Sequence, residues 1–197
     1  ARLEHTLCGP DRDAPRGAFS VIKNYGRLVG GSVAHGHQQM AFTNAQPRRA
    51  WELDAYRREN GEPFADHLLR ETPEHLILRD YGPALLLVPY FMRRPYDMML
   101  VFKNTGRRDL YELNEEELRA AAAGWRDCIC VLRTLMPRIG RLVAYNILTH
   151  TGPGAGLHFE ILPYTQETGG FEHLGYIVCQ GEPKTCAQRI RENLSDT

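Results

Sequence analysis

The 197-residue chain has no surplus of either charge: 24 Lys and Arg stand against 24 Asp and Glu. A protein whose main partner is nucleic acid needs a basic surface, so the balance argues against that class. No apolar run is long enough to span a bilayer, and no charged-then-apolar leader opens the chain, which argues against a membrane or secreted protein. The cysteines, at positions 8, 128, 130, 179 and 186, are odd in number and include no Cys-x-x-Cys pair. A disulfide framework and a zinc ribbon are therefore not expected. Cys128 and Cys130 fall in a helical pattern, where residues two apart diverge, so they do not bridge. All five read as reduced thiols of a cytoplasmic protein. The hydrophobic share of 43% supports one large domain, or two small ones sharing a sheet.

Along the chain, Ala1–Arg16 is polar and broken by Gly9-Pro10 and Pro15, which predicts a loop. Phe19–Asn24 reads as a strand, followed by a glycine-rich turn and a second strand over His35–Thr43. Arg48–Asn60 is helical, with Trp51, Ala55 and Tyr56 placed toward the core, and Phe64–Arg70 forms a short helix before Pro73. Three short apolar runs, His75–Arg79, Ala84–Val88 and Met98–Phe102, are separated by turn residues and predict an antiparallel meander. Asn114 and Glu117 then make a capping-box start. Leu118, Ala121, Ala122, Trp125, Ile129, Leu132 and Met136 continue at helical spacing until Pro137 and Gly140. Val143–Thr149 and Leu157–Leu162 are strands joined by Gly152-Pro153-Gly154. A strand near Leu174–Cys179 and a helix from Pro183, with Ala187, Ile190 and Leu194 inward, complete the chain.

The chemistry concentrates in Asn24-Tyr25-Gly26, Gly30-Gly31-Ser32 and His35-Gly36-His37-Gln38-Gln39. In an extended strand His35, His37 and Gln39 share one face. One imidazole can attack, the other can orient it or hold a metal, and the amide can hold an oxyanion. The glycines leave backbone N–H groups open to a phosphate. A bare His-x-His more often marks a metal pair or an ordinary strand, but this longer string resembles the histidine-triad superfamily, in its galactose-1-phosphate uridylyltransferase-like branch. There the pattern is Asn-x-Gly, Gly-x-Ser and His-Pro-His-x-Gln, matched here by Asn24, Gly26, Gly30, Ser32, His35, His37 and Gln39, with Gly36 in place of proline. The resemblance implies an α+β fold: an antiparallel sheet of histidine-triad type, with a long helix packed on it. It implies the end of a first unit with linker helices over 1–74, and a complete second unit with a C-terminal tail over 75–197. The opening strands of a first unit have no counterpart, so the chain reads as part of a longer polypeptide.

The same resemblance implies a nucleotidyltransferase that moves a nucleoside monophosphate from a nucleotide sugar to a phosphorylated acceptor. His37 is the nucleophile that becomes nucleotidylated, with His35 and Gln39 as catalytic neighbours. Asn24, Gly30, Gly31, Ser32 and Gln39 hold the nucleotide and its phosphates. A backbone carbonyl near His35 is expected to fix the His37 tautomer. His158, Phe171 and Tyr176 are expected at the acceptor, with the tail reaching a partner subunit in a homodimer. Ile177 stands where a sugar-gripping Glu is expected, so the acceptor could be another phosphate ester or phosphate itself. A structural zinc or iron is the candidate cofactor. His35 is one candidate ligand, with His5 or Cys8 as minor candidate partners; a second set comprises His150, His158 and Glu52, with Gly156 where a third His is expected. The alternatives are a dinucleoside-polyphosphate or nucleotide-sugar phosphorylase using the same nucleophile, and a catalytically silent nucleotide-binding relative. The arginine pairs 48–49, 57–58, 93–94 and 107–108 read mainly as solvated faces, with phosphate binding as the minor option.

Overall fold

The computed structural model describes residues 18–33 and 35–194. The loop expected over Ala1–Arg16, with His5 and Cys8, lies outside these residues. In chain order the elements are β1 (Ala18–Tyr25), β2 (Gln39–Thr43), α1 (Arg48–Asn60), α2 (Phe64–Glu71), β3 (Ile77–Asp80), β4 (Ala84–Leu87) and β5 (Met98–Phe102). They continue with α3 (Glu115–Arg138), β6 (Tyr145–His150), β7 (His158–Pro163), the one-turn α4 (Gly170–His173) and α5 (Pro183–Leu194). The strands form one seven-stranded sheet in the order β2-β1-β6-β7-β5-β4-β3. Every pairing is antiparallel. This is the expected α+β architecture. β1 bonds to β6, so the first pair of strands continues the sheet of the later ones.

Strand alternation assigns two jobs to the two faces. On one face Leu86, Met98, Leu100, Tyr145, Ile147, Phe159 and Ile161 meet α3 and α5 in the main core, against Cys128, Leu132, Met136, Ala187 and Ile190. On the other, Ala65 and Leu68 of α2 cover Leu87, Met99 and Val101. With both faces covered, β5 is buried at all five positions and reads as a continuous apolar run. The start of α3 is the expected capping box: Glu117 N–H donates to Asn114 Oδ1 and Asn114 N–H to Glu117 Oε2, both at 2.8 Å. Among the described residues no helix is long and apolar enough to cross a membrane.

Several expectations shift. The second strand begins at Gln39, not His35, since its pairing with β1 ends at Ile22 opposite Gln39. Trp51 is 56% exposed, and Leu53 is the one buried residue of α1. That helix is polar on nearly all sides and meets the strands near Gly154 only with the face carrying Leu53 and Asp54. On α3 the inward stripe is Glu117, Ala120, Ala121, Gly124, Cys128, Val131, Leu132, Leu135 and Met136, which leaves Leu118 exposed. Gly124 sets this rotation, since a Cβ there would come within 2.8 Å of Leu100 side-chain carbons. Pro137 sits inside the last turn of α3, which ends at Arg138. Leu174–Cys179 forms no strand; it follows α4 as irregular chain.

Candidate active site

The turn between β1 and β2 is built on glycine. Gly26 (φ 93°) opens it, a 3-10 turn spans Arg27–Val29, and Gly30 (φ 83°) closes that turn. The chain then doubles back, and Gly31 N–H donates to Gly26 C=O at 2.9 Å. A Cβ on Gly31 would lie 2.8 Å from the backbone N and O of Gly26, so no larger residue fits without moving the turn.

Asn146 of β6 ties this turn to the sheet. Its Nδ2 donates to Asn24 Oδ1 at 2.7 Å and to Val29 C=O at 3.1 Å. With its oxygen so engaged, Asn24 turns its own Nδ2 toward Gln39 Oε1, at 3.5 Å. Beside this amide chain the His37 Nδ1–H donates to the His35 carbonyl at 3.1 Å. A carbonyl can only accept, so this bond puts a proton on Nδ1, and in the neutral ring the lone pair is on Nε2. Lys23 Nζ donates to the His37 carbonyl at 3.3 Å, and the His35 ring stands edge-on to His37 with centroids 5.6 Å apart. Ser32, His35 and Gln39 are exposed and His37 half-buried. The structure therefore brings Asn24, the glycine turn, His35, His37 and Gln39 together. Asn146 and Lys23 join them, and neither carries a signal in the sequence.

The strand register contains a second copy of this arrangement. Gln39 lies opposite Ile22, Ile22 opposite Leu148, and Leu148 opposite Glu160. A local twofold between Ile22 and Leu148 thus relates Gln39 to Glu160, Asn24 to His150, His37 to His158 and His35 to Gly156. The hydrogen bonds follow it. His158 Nδ1–H donates to the Gly156 carbonyl at 3.1 Å, as His37 does to His35. His150 Nε2–H donates to Glu160 Oε2 at 2.9 Å, where Asn24 meets Gln39. Glu160 is absent from the sequence-derived site, although its spacing after His158 equals that of Gln39 after His37.

The copy is closed. His158 is fully buried, stacked on His150 at 4.6 Å between centroids, with Phe64 at 6.1 Å. Its Nε2 has no hydrogen-bond partner. Burial, reinforced by the His150 charge, lowers its pKa to about 3, so the ring is neutral. Burial alone would raise Glu160, but the hydrogen bond from His150, the His150 charge and then Arg93 and Arg49 hold it down at about 2. The local glycine loop is filled too: Gly154 N–H donates to Asp54 Oδ1 at 3.1 Å, and Phe64 N–H to the Gly154 carbonyl at 2.9 Å.

This geometry does not fit a metal at His150, His158 and Glu52. His150 Nε2 is committed to Glu160, and Glu52 Oε1 accepts from Arg48 Nε at 2.9 Å. A side chain at Gly156, where a further ligand is expected, would place its Cβ 2.7 Å from Ala65 Cβ, at a backbone φ of 59°. Among the described residues no group of three His, Cys, Asp or Glu side chains could hold a metal ion, His35 included. The expected acceptor residues are also apart in character. His158 is sealed, whereas Phe171 and Tyr176 are 65% and 64% exposed and pack edge-on at 6.4 Å.

No family model matches the chain. It is 24% identical over 206 residues to galactose-1-phosphate uridylyltransferase of Cryptococcus neoformans var. neoformans, covering 90% of this chain and 52% of the relative. A solved uridylyltransferase superposes with a TM-score of 0.83 at 19% identity, over 99% of this chain and 65% of that one. An ADP-glucose phosphorylase from Arabidopsis thaliana, solved with bound ADP-glucose, superposes with a TM-score of 0.75 at 18% identity, over 97% of this chain and 63% of that one. The resemblance to the uridylyltransferase-like branch of the histidine-triad superfamily holds in both sequence and fold. The chain spans about half the length of the curated relatives it matches.

Proposed function

We propose that this chain is a nucleotidyltransferase that works through a covalent nucleotidyl-histidine at His37. The observation that carries the reading is the His37 Nδ1–H bond to the His35 carbonyl at 3.1 Å, set beside the Asn146–Asn24–Gln39 amide chain. The lone pair of His37 Nε2 attacks the α-phosphorus of a nucleotide sugar or related nucleotide. A P–N bond forms, the bond from phosphorus to the bridging oxygen breaks, and the leaving phosphate ester keeps that electron pair. In this reading the amide of Gln39 and the hydroxyl of Ser32 take up charge on the non-bridging oxygens, while the Gly30 and Gly31 N–H groups, bonded to the Arg27 and Gly26 carbonyls, shape the turn. A phosphorylated acceptor then attacks the same phosphorus and releases His37. No step runs through a metal.

The donor and acceptor classes follow from the relatives, with sugar phosphate as the acceptor in this reading. A second reading, a phosphorylase with the same nucleophile, is favoured by the likeness to the ADP-glucose phosphorylase and by Ile177, an apolar residue lining the cavity beside the tail. The protein acts as a homodimer, because Phe171, Leu174, Tyr176, Ile177 and Val178 form an exposed apolar tail that a second subunit would cover.

Intact-mass measurement after incubation with a panel of nucleoside diphosphate sugars tests the reading. A gain of one nucleotide per chain is expected, identifying the base, and His37→Ala should remove it. Labelling that persists in His37→Ala would defeat the assignment. No mass gain with any donor, while nucleotide still binds, would favour a silent nucleotide-binding protein.

A further inference from the structure

The Arg93–Arg94 pair reads in the sequence mainly as a solvated face, with phosphate binding as the minor option, and the structure holds it in place. Asp97 Oδ2 accepts from the N–H of Arg93 at 2.8 Å and of Arg94 at 3.1 Å. Tyr96, the one described non-glycine residue with positive φ (72°), accepts through its hydroxyl from Arg189 Nη1 at 2.9 Å. Thr165 Oγ1 donates to the Pro95 carbonyl at 2.7 Å. The turn is over-determined, and a non-glycine residue held at positive φ is typical of a site that must be pre-organised.

This turn, with Leu162 of β7 and the segment around Thr168 and Glu172, encloses a cavity of about 220 Å³. The carboxylates at its rim are engaged. Glu167 is bound by both Nη atoms of Arg141, and Glu172 Oε2 accepts from Gly169 N–H at 2.8 Å. The cations are less satisfied. Arg94 lies 5.3 Å over the Tyr164 ring, and its buried Nη1 has no hydrogen-bond partner. Arg93 Nε is 3.8 Å from Glu160 Oε1, beyond hydrogen-bond reach, while His150 takes the other carboxylate oxygen. Arg49 shares the Glu160 charge with Arg93, and its own buried Nε is unpartnered. Two guanidinium groups therefore divide one carboxylate, and a third has an open donor. Donors in this state suit an anionic ligand.

The register locates the cavity. Leu162 is opposite Asn146, and Asn146 opposite Asn24, all on the face that carries Gln39. Two strand spacings separate Leu162 from Asn24, about 10 Å. We propose that this cavity is the acceptor pocket of the His37 site, and that the acceptor carries, besides the phosphate that attacks, a second anionic group held by Arg93 and Arg94. The proposal rests on the reading of His37 as nucleotidyl carrier. A single phosphate cannot serve both places, so the arginines recognise a group that does not react.

Calorimetric binding of three compounds to the whole chain tests it: glucose 1-phosphate, glucose 1,6-bisphosphate and glucuronate 1-phosphate, at matched ionic strength. The two compounds that carry a second anionic group should bind at least about tenfold more tightly than glucose 1-phosphate. Preference for both, or for one over the other, supports the proposal and tells a phosphate from a carboxylate. Arg94→Gln should bring the affinities of the three compounds together, removing at least most of the tenfold preference. A readout that needs no variant is the His150 imidazole NMR signal, which should shift only with the two compounds that carry a second anionic group, through Glu160 and Arg93. Equal affinities for the three in the unsubstituted chain, or a His150 shift reproduced by potassium chloride, would overturn the proposal. The preference should survive in His37→Ala, so loss of nucleotidylation leaves it standing. Conversely, labelling of His37 without any anion preference removes this inference alone.

Discussion

Asp97→Asn should flatten the pH dependence of stability, and the size follows from the structure. Asp97 is 1% exposed, and its Oδ1 has no hydrogen-bond partner. Burial pushes its carboxyl up to about 7 from 3.8, against backbone hydrogen bonds from Arg94 and Arg93. The sign is that of a raised acid. Between about pH 4 and 7 the folded chain keeps a proton that the unfolded chain has released, so stability falls as pH rises through that window and is lowest above it. A raise of some three units corresponds to about 4 kcal/mol in full, of which roughly 2 to 3 kcal/mol falls between pH 5 and 8. Asparagine keeps an acceptor oxygen for the Arg93 and Arg94 N–H groups but carries no charge. Urea unfolding followed by circular dichroism at pH 5 and pH 8 should therefore show the variant gaining on the parent by about 2 kcal/mol at the higher pH. If the two proteins lose stability in parallel, to within about 0.5 kcal/mol, then Asp97 does not ionise in this window and the argument fails.

Gln39→Ala should slow single-turnover labelling of His37 by about tenfold to a thousandfold, the usual loss for one oxyanion donor, with nucleotide binding kept; an unchanged rate would remove Gln39 from the site. Gly31→Ala forces a Cβ to 2.8 Å from Gly26 backbone atoms, so it should cost roughly 1–3 kcal/mol in a denaturant titration and slow labelling as well. Light scattering at micromolar concentration should give a dimer mass, and replacing Phe171 and Tyr176 by Ser should shift it toward monomer; a monomeric parent with full labelling activity would rule out the covered tail.

The sequence disclosed the helices and strands wherever periodicity was the governing signal. The capping box at Asn114, the meander from 75 to 102 and the final helix from Pro183 needed no tertiary information. The errors have a shared cause. Trp51 and Leu118 are apolar residues on helix surfaces, and which stripe turns inward was decided by close contacts elsewhere, Gly124 against Leu100 and Gly154 against α1. The strand expected from His35 is shorter because β1 pairs with β2 only over Ala18–Ile22, opposite Gln39–Thr43, which leaves His35 and His37 in the turn. In the candidate site, the motif residues were legible because their chemistry is rare at that spacing. Asn146, Lys23 and Glu160 were not, since each acts through a partner at least 14 residues away or across a strand, and composition carries no trace of that.

The twofold in the register shows why two histidines with the same Nδ1 bond have different prospects. His37 is half-buried, with an amide as its neighbour at position 39, whereas His158 is sealed and has a carboxylate at position 160. A phosphate brought to His158 would meet the Glu160 charge. It would also have to displace the Asp54 carboxylate from the Gly154 N–H. Both obstacles are negative charges, and the first site has the neutral Gln39 amide in place of Glu160. The same carboxylate that bars phosphate from His158 gathers Arg49 and Arg93 on the face next to the cavity. Closing the second copy thus supplies the cations through which the open one could select its acceptor.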